Sequence, residues 1–286
     1  MESETFVKSG KYKFRIVDKI SKYEDKIIGR NIKIGGNYPD CVNISISYYG
    51  DTPVSAYIPI LVYDSECSLD IPLDRGKGSI TMIKEILKYM KQTIPEITSV
   101  NFEDLSQIEC ATLDEISKYS GMKKKGTQVK PVPLNFFSIM FNGLTWYEKH
   151  LNARLKNDKS NNAYRSKVNQ LLSMKTPEFT EFLQIAKPPL PILPKLKEYY
   201  DNAHTYTEFF SSIPMQDRCI IVRDWITSFM QYYIGDVFSN NNWIIPIQDK
   251  LFGGRRKSKR MKTHKLKYSM RRHGVNNDIG VDALHI

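Results

Sequence analysis

Arg75-Gly76-Lys77-Gly78-Ser79 sets two glycines and two cations between an apolar segment, "CSLDIPL", and an apolar-periodic run that begins at Ile80. A glycine turn that opens a helix leaves several backbone N–H groups without intrahelical acceptors, and the helix dipole favours an anion beside them. That is the physics of a phosphate or pyrophosphate cradle. A short Gly-x-Gly also serves wherever a strand-to-helix turn needs a positive φ, so a plain turn stands as the alternative. The spacing of a Walker loop is not met, and no second glycine triplet with a following acid marks a dinucleotide-binding unit. Cys41, Cys67, Cys110 and Cys219 lie far apart with no Cys-x-x-Cys pair, which reads as four reduced core thiols. His150, His204, His264, His273 and His285 are scattered and offer no paired acid and base.

The elements that must position the turn follow from periodicity. From Cys41 to Leu73 the pattern alternates with period two, broken by "YGDTP" and "DSE", and predicts a three-stranded antiparallel meander that ends on "CSLDIPL". An earlier strand is expected at "KYKFRIV". After the glycines, Ile80, Ile83, Ile86, Leu87, Met90 and Ile94 recur at helical spacing, Pro95 stops the helix, and "EITSVNF" restores a strand. "EDLS" then supplies residues suited to turns or caps. Residues from about 107 to 132 read as a lysine-bearing loop. "LNFFSIMFNGLTWYEKH" is helix-compatible and "LNARL" a short strand. Beyond it "KPPLPILP" reads as a stiff extended linker, "MQDRCIIVRDWITSFMQYYIG" as one helix of about five turns, and "NWIIPI" as a buried final strand.

In this order of elements the chain resembles the GCN5-related N-acetyltransferase family. Its pattern is a meander, an Arg/Gln-x-x-Gly-x-Gly/Ala loop, a helix, a strand, and then a helix ending in a tyrosine-bearing "YEKLGF"-like motif. "DRGKGSITMIKEIL" is similar to the family's pyrophosphate loop and helix, "ITSVNFEDLS" to the next strand, and "TWYEKHLNARL" to the closing motif. The resemblance implies an α+β fold with a mixed, mostly antiparallel sheet and flanking helices over residues 1–155. A helical extension over 156–252 and a flexible basic tail over 253–286 would follow. It implies acetyl-CoA as cofactor, held by Arg75, Gly76, Lys77, Gly78 and Ser79. Tyr147 would be the acid that protonates the departing thiolate, and Glu103 or Asp104 the base that frees the attacking amine. Ile80 stands where the family usually carries Gly or Ala, so a non-catalytic structural or interaction module on the same fold is the second expectation.

Charge is concentrated at one end. The formal net charge is +11, yet ten Lys or Arg and no acid lie between Arg255 and Arg272, and without them +1 remains. Arg255, Arg256, Lys257, Lys259, Arg260, Lys262, Lys265, Lys267, Arg271 and Arg272 are therefore the expected contacts to nucleic acid or another polyanion. At 41% hydrophobic and 12% aromatic residues the body should fold. No apolar run is long enough to span a bilayer and the N-terminus does not read as a secretory signal. An intracellular protein with no membrane partner is expected. The Gly-Gly-then-basic ending on a Lys/Asn/Ile-rich body also resembles proteins of large double-stranded DNA viruses. That resemblance implies the cytoplasm or nucleus of a host cell, or a virion.

Overall fold

Eight strands form one sheet, and the first five are consecutive antiparallel neighbours: β1 (Glu2–Ser9), β2 (Tyr12–Tyr23), β3 (Lys26–Gly35), β4 (Val42–Tyr49) and β5 (Thr52–Leu61). The computed structural model describes residues 1–104, 106–110, 131–235 and 243–252. Most of the lysine-bearing loop expected at 107–132, and the whole tail, lie outside the described residues. Alternation decides the inner face of the sheet: Phe14 and Ile16 of β2, Ile32 and Ile34 of β3, and Ile44 and Ile46 of β4 are buried. Helix α1 (Lys77–Thr93) lays Met82, Ile83, Ile86, Leu87 and Met90 on that face. Each such side chain contributes roughly 1.5–3 kcal/mol by leaving water.

One polar cluster crosses the contact. Asp18, 3% exposed, accepts from Arg30 Nε at 2.8 Å and from the Tyr89 hydroxyl at 2.9 Å, so a buried carboxylate ties β2, β3 and α1 together. Its partners offset the cost of burying the charge.

The chain then returns through β6 (Ser99–Phe102), which runs parallel to β5. It continues with β7 (Gln107–Glu109) and β8 (Pro131–Pro133), which form a separate antiparallel pair. Helices α2 (Leu134–Asn142) and α3 (Trp146–Leu151) lead to β9 (Arg154–Leu155). The segment expected as one helix around "NGL" is two, because Gly143 at φ +71° closes α2 and Thr145 caps α3.

Six helices follow: α4 (Asp158–Ser173), α5 (Phe179–Ala186), α6 (Leu193–Asp201), α7 (Tyr206–Ser212), α8 (Met215–Val222) and α9 (Ile226–Ile234). The last strand, β10 (Trp243–Pro246), pairs antiparallel with both β6 and β9. The fold is α+β, with a mostly antiparallel sheet ordered β1-β2-β3-β4-β5-β6-β10-β9. The region after residue 156 is thus helical to Ile234 and then adds a strand to the sheet of the first 155 residues.

Four further expectations are corrected. "CSLDIPL" is no strand: a 3-10 turn at Ser65–Cys67 leads into a loop fixed by Leu69 N–H to Lys13 C=O (2.9 Å) and Leu73 N–H to Ser65 C=O (2.8 Å). The cysteines are not thiols, since Cys41 is joined to Cys67 and Cys110 to Cys219, with Cα separations of 5.9 and 5.1 Å. Spacing along the chain is silent about pairs brought together by folding, here 26 and 109 residues apart. The expected five-turn helix breaks between α8 and α9, where Trp225 turns inward and packs edge-on against Phe182 and Phe229. The proline-rich linker is also tighter than expected, with a 3-10 turn at Leu190–Ile192 running into α6. Among the described residues no helix is long and apolar enough to cross a membrane.

Candidate functional site

Strands β5 and β6 share two paired positions, Tyr57 with Asn101 and Ile58 with Phe102, and then part. The Asn101 side-chain amide donates to Ala56 C=O at 3.0 Å and holds the closed end. Pro59 comes next on β5 and has no N–H to continue a ladder. Between the diverging ends lies a cleft of about 180 Å³, lined by Tyr57, Pro59 and Leu61 on one side and Phe102, Glu103 and Ser106 on the other. A second cavity of about 310 Å³ shares Leu61, Ser106 and Tyr147 with it and extends to Tyr63, Arg75, Gly76 and Ser79. The two form one groove with the glycine turn at one end.

Tyr147 stands where the cavities meet. Its helix starts with a reciprocal cap: the Glu148 amide donates to the Thr145 hydroxyl at 3.1 Å, and the Thr145 amide to the Glu148 carboxylate at 2.8 Å. Glu148 also accepts from the Tyr164 hydroxyl at 2.8 Å, which anchors α3 to α4. The Tyr147 ring packs on Phe102 at 4.7 Å between centroids, and its hydroxyl lies 2.9 Å from Ser106 Oγ. Ser106 in turn reaches Asp104 through its hydroxyl and through its amide, the latter at 3.3 Å.

Burial pushes the Asp104 carboxyl up to about 6, against the opposing hydrogen bonds from Ser106 and with the charge of Glu148 adding to the rise. Burial raises the Tyr147 hydroxyl as well, helped by Asp104 and opposed by Ser106. The three residues form a hydrogen-bonded chain from a phenol to a carboxyl group whose pKa is pushed up to about 6.

Of the residues expected to act, Tyr147 and Asp104 are joined through Ser106. Glu103 is exposed at the cleft wall. Ser106 was not anticipated, because "EDLS" reads as turn chemistry. That reading also holds, since Asp104 accepts the Ser106 amide as a turn-forming side chain would.

At the other end the five turn residues separate. Arg75, Gly76 and Ser79 line the groove, with the Arg75 guanidinium 5.5 Å from the centre of the Tyr63 ring. Lys77 is exposed and outside the lining. Gly76 has φ +75°, so the turn itself needs glycine there. Gly78 is turned to the core: a Cβ would lie 2.8 Å from Leu73 Cγ and 3.2 Å from Tyr12 Oη. Ile80 is half-buried against the core and lines neither cavity.

Two of the free amides expected at the helix start are already used, Lys77 N–H by Arg75 C=O and Gly78 N–H by Asp74 C=O, both at 3.0 Å. Among the described residues the Gly76 and Ser79 amides have no acceptor, no side chain caps α1, and its first turn holds no acid. Asp74 is engaged elsewhere, by the Tyr12 hydroxyl (2.6 Å) and Lys11 (2.7 Å). An anion can therefore approach Gly76, Ser79 and Arg75 without meeting an unpaired carboxylate.

The cations from Arg255 to Arg272 lie outside the described residues. No protein-family model matches the chain, and neither a curated protein nor a solved structure is significantly similar to it.

Proposed function

We propose that the chain is an acetyl-CoA-dependent N-acetyltransferase with a core like that of the GCN5-related family, acting on an amine. The observation that carries this reading is the parting of β5 and β6 around a groove with an uncapped glycine turn at one end and Tyr147–Ser106–Asp104 at the other. In support, the order meander, turn, helix, strand and tyrosine-bearing helix resembles the family pattern, with the β7–β8 pair and α2 standing between the last two. Acetyl-CoA fits the residues present: Arg75 and the Gly76 and Ser79 amides would hold its pyrophosphate, and the apolar wall of Leu61 and Tyr63 would flank its arm. When bound, it supplies an acetyl group activated as a thioester.

The chain's residues then handle protons. The acceptor must lose a proton before it can attack; Glu103 at the cleft wall would take it, and Asp104, which lines neither cavity, would act only through Ser106. The Tyr147 hydroxyl would supply the proton that a leaving thiolate needs, and the Ser106 hydroxyl, 2.9 Å away, would return one to it. Phe102, Leu61 and Ile83 give part of the cleft an apolar lining.

One observation favours the second reading, a non-catalytic module on the same fold. Gly78 serves packing, and half of the expected amide cradle is satisfied within the turn. Acetyl transfer to a panel of amines by the purified chain and by its Tyr147→Phe variant separates the two readings. Turnover that falls about 10²-fold or more in the variant is expected of the enzyme; a folded chain that binds acetyl-CoA but shows no turnover with any amine supports the module. The basic tail is proposed to bring either form to an anionic target, in an infected cell or a virion.

A further inference from the structure

The outer face of the β1–β5 sheet points to a second surface. Strand register places Lys19, Asn31, Ser45 and Tyr57 in one row across β2 to β5, Lys33 beside Asn43 in the next, and Phe6 beside Arg15. Helix α1 covers the opposite face, and among the described residues no helix packs on this one. An antiparallel sheet may leave one face to water, and polar residues there are ordinary. Three features here are not.

First, side-chain polar atoms that are buried yet without a hydrogen-bond partner gather on this face: Arg15 Nε, Asn31 Oδ1 and Asn43 Oδ1. Asn43 is only 8% exposed. Each such atom costs about 1–3 kcal/mol unless something outside the chain satisfies it. Second, cations gather on neighbouring strands. Lys13, Arg15, Lys19 and Lys33 face the same side, with Lys8 opposite Lys13. The acids there are Glu2 and Glu4 near the start of β1, and Asp40, which holds Lys33 at 2.9 Å. Third, aromatic rings stand out from this face, Phe6 at 57% exposure and Tyr57 at 39%. Lys13 Nζ already sits 5.7 Å from the Phe6 ring centre.

Cations for phosphates and exposed rings for stacking are the two groups that a single-stranded nucleic acid needs most. We infer that the outer face of β1–β5 binds single-stranded nucleic acid, with Phe6 and Tyr57 as stacking residues and Lys13, Arg15, Lys19 and Lys33 on the backbone. This surface lies in the body, whose +1 balance conceals it; it is independent of the tail and meets the acetyltransferase cleft only at Tyr57, which lines both.

The test is ultraviolet crosslinking of an oligothymidylate of about 20 nucleotides to the full chain, with the crosslinked peptides mapped by mass spectrometry. Anisotropy titrations of the same oligonucleotide across a salt series accompany it. Crosslinks in the peptides that carry Phe6 and Tyr57 are expected, together with roughly tenfold weaker binding in a Phe6→Ala/Tyr57→Ala chain. Lys19→Gln, an exposed change, should lower the salt slope by about 1 while the tail stays intact. Crosslinks confined to the tail, with unchanged affinity in these variants, would overturn the proposal. So would displacement of the oligonucleotide from the face by polyglutamate at equal charge concentration, which would assign the surface to an acidic polypeptide.

Discussion

The two ends of the groove use the same kind of residue for different ends. At the glycine turn the side chains mostly serve the fold: Gly76 permits the turn, Gly78 admits Leu73 and Tyr12, and what remains for a ligand is two backbone amides and Arg75. At the tyrosine end the fold serves the side chains. A reciprocal helix cap, a ring contact and a serine hold one hydroxyl at the junction of two cavities. A conspicuous motif can thus be largely structural, while an inconspicuous serine links the tyrosine hydroxyl to a carboxyl group.

Substitutions that spare the fold can break this comparison. The largest effect is expected from Tyr147→Phe, which keeps the ring on Phe102 and removes only the hydroxyl. The rate of acetyl transfer should fall about 10²- to 10⁴-fold with little change in acetyl-CoA affinity. An equal loss of affinity would make Tyr147 a packing residue.

Ser79→Glu should weaken acetyl-CoA binding by roughly 10- to 100-fold, by setting a carboxylate against the pyrophosphate at the helix start. Calorimetry on the folded variant checks it, and unchanged affinity would move the anion away from the turn.

Gly78→Ala sharpens the contrast from the other side. Its Cβ has no room beside Leu73, so a stability loss of about 1–3 kcal/mol is expected in denaturant unfolding, without specific loss of ligand affinity.

The smallest effect concerns Asp104. Its carboxyl is raised in the fold, so between the ordinary carboxylate range and about 6 the folded state binds more protons than the unfolded chain. Stability from this group is therefore present at low pH and declines as pH rises through about 6, while base catalysis should grow over the same interval. Asp104→Asn should raise Tm at pH 7 by roughly 2–4 °C and flatten that pH dependence. A lower Tm at pH 7 would contradict the assigned burial.

Much of this architecture was legible in residue patterns. Period-two alternation located β4 and β5, helical spacing located α1, and the apolar "NWIIPI" located β10. The pattern could not place β10 between β6 and β9, since pairing across about 140 and about 90 residues leaves no local trace. Both disulfides escaped for the same reason. "CSLDIPL" alternates as a strand does, yet Pro72 and the Cys41–Cys67 link hold it as a loop. In the candidate site, the family pattern points to Tyr147 with Glu103 or Asp104, while Ser106 becomes visible only in the fold, where its hydroxyl lies 2.9 Å from that of the tyrosine.

The central claim is that the groove binds acetyl-CoA with its pyrophosphate at the Gly76–Ser79 turn. Calorimetric titration of acetyl-CoA into the intact chain and its Ser79→Glu variant tests it most directly. One-site binding in the micromolar range, weakened roughly 10- to 100-fold in the variant, is the predicted result. Absence of binding by a chain shown to be folded would contradict the account and leave Arg75–Ser79 as a turn.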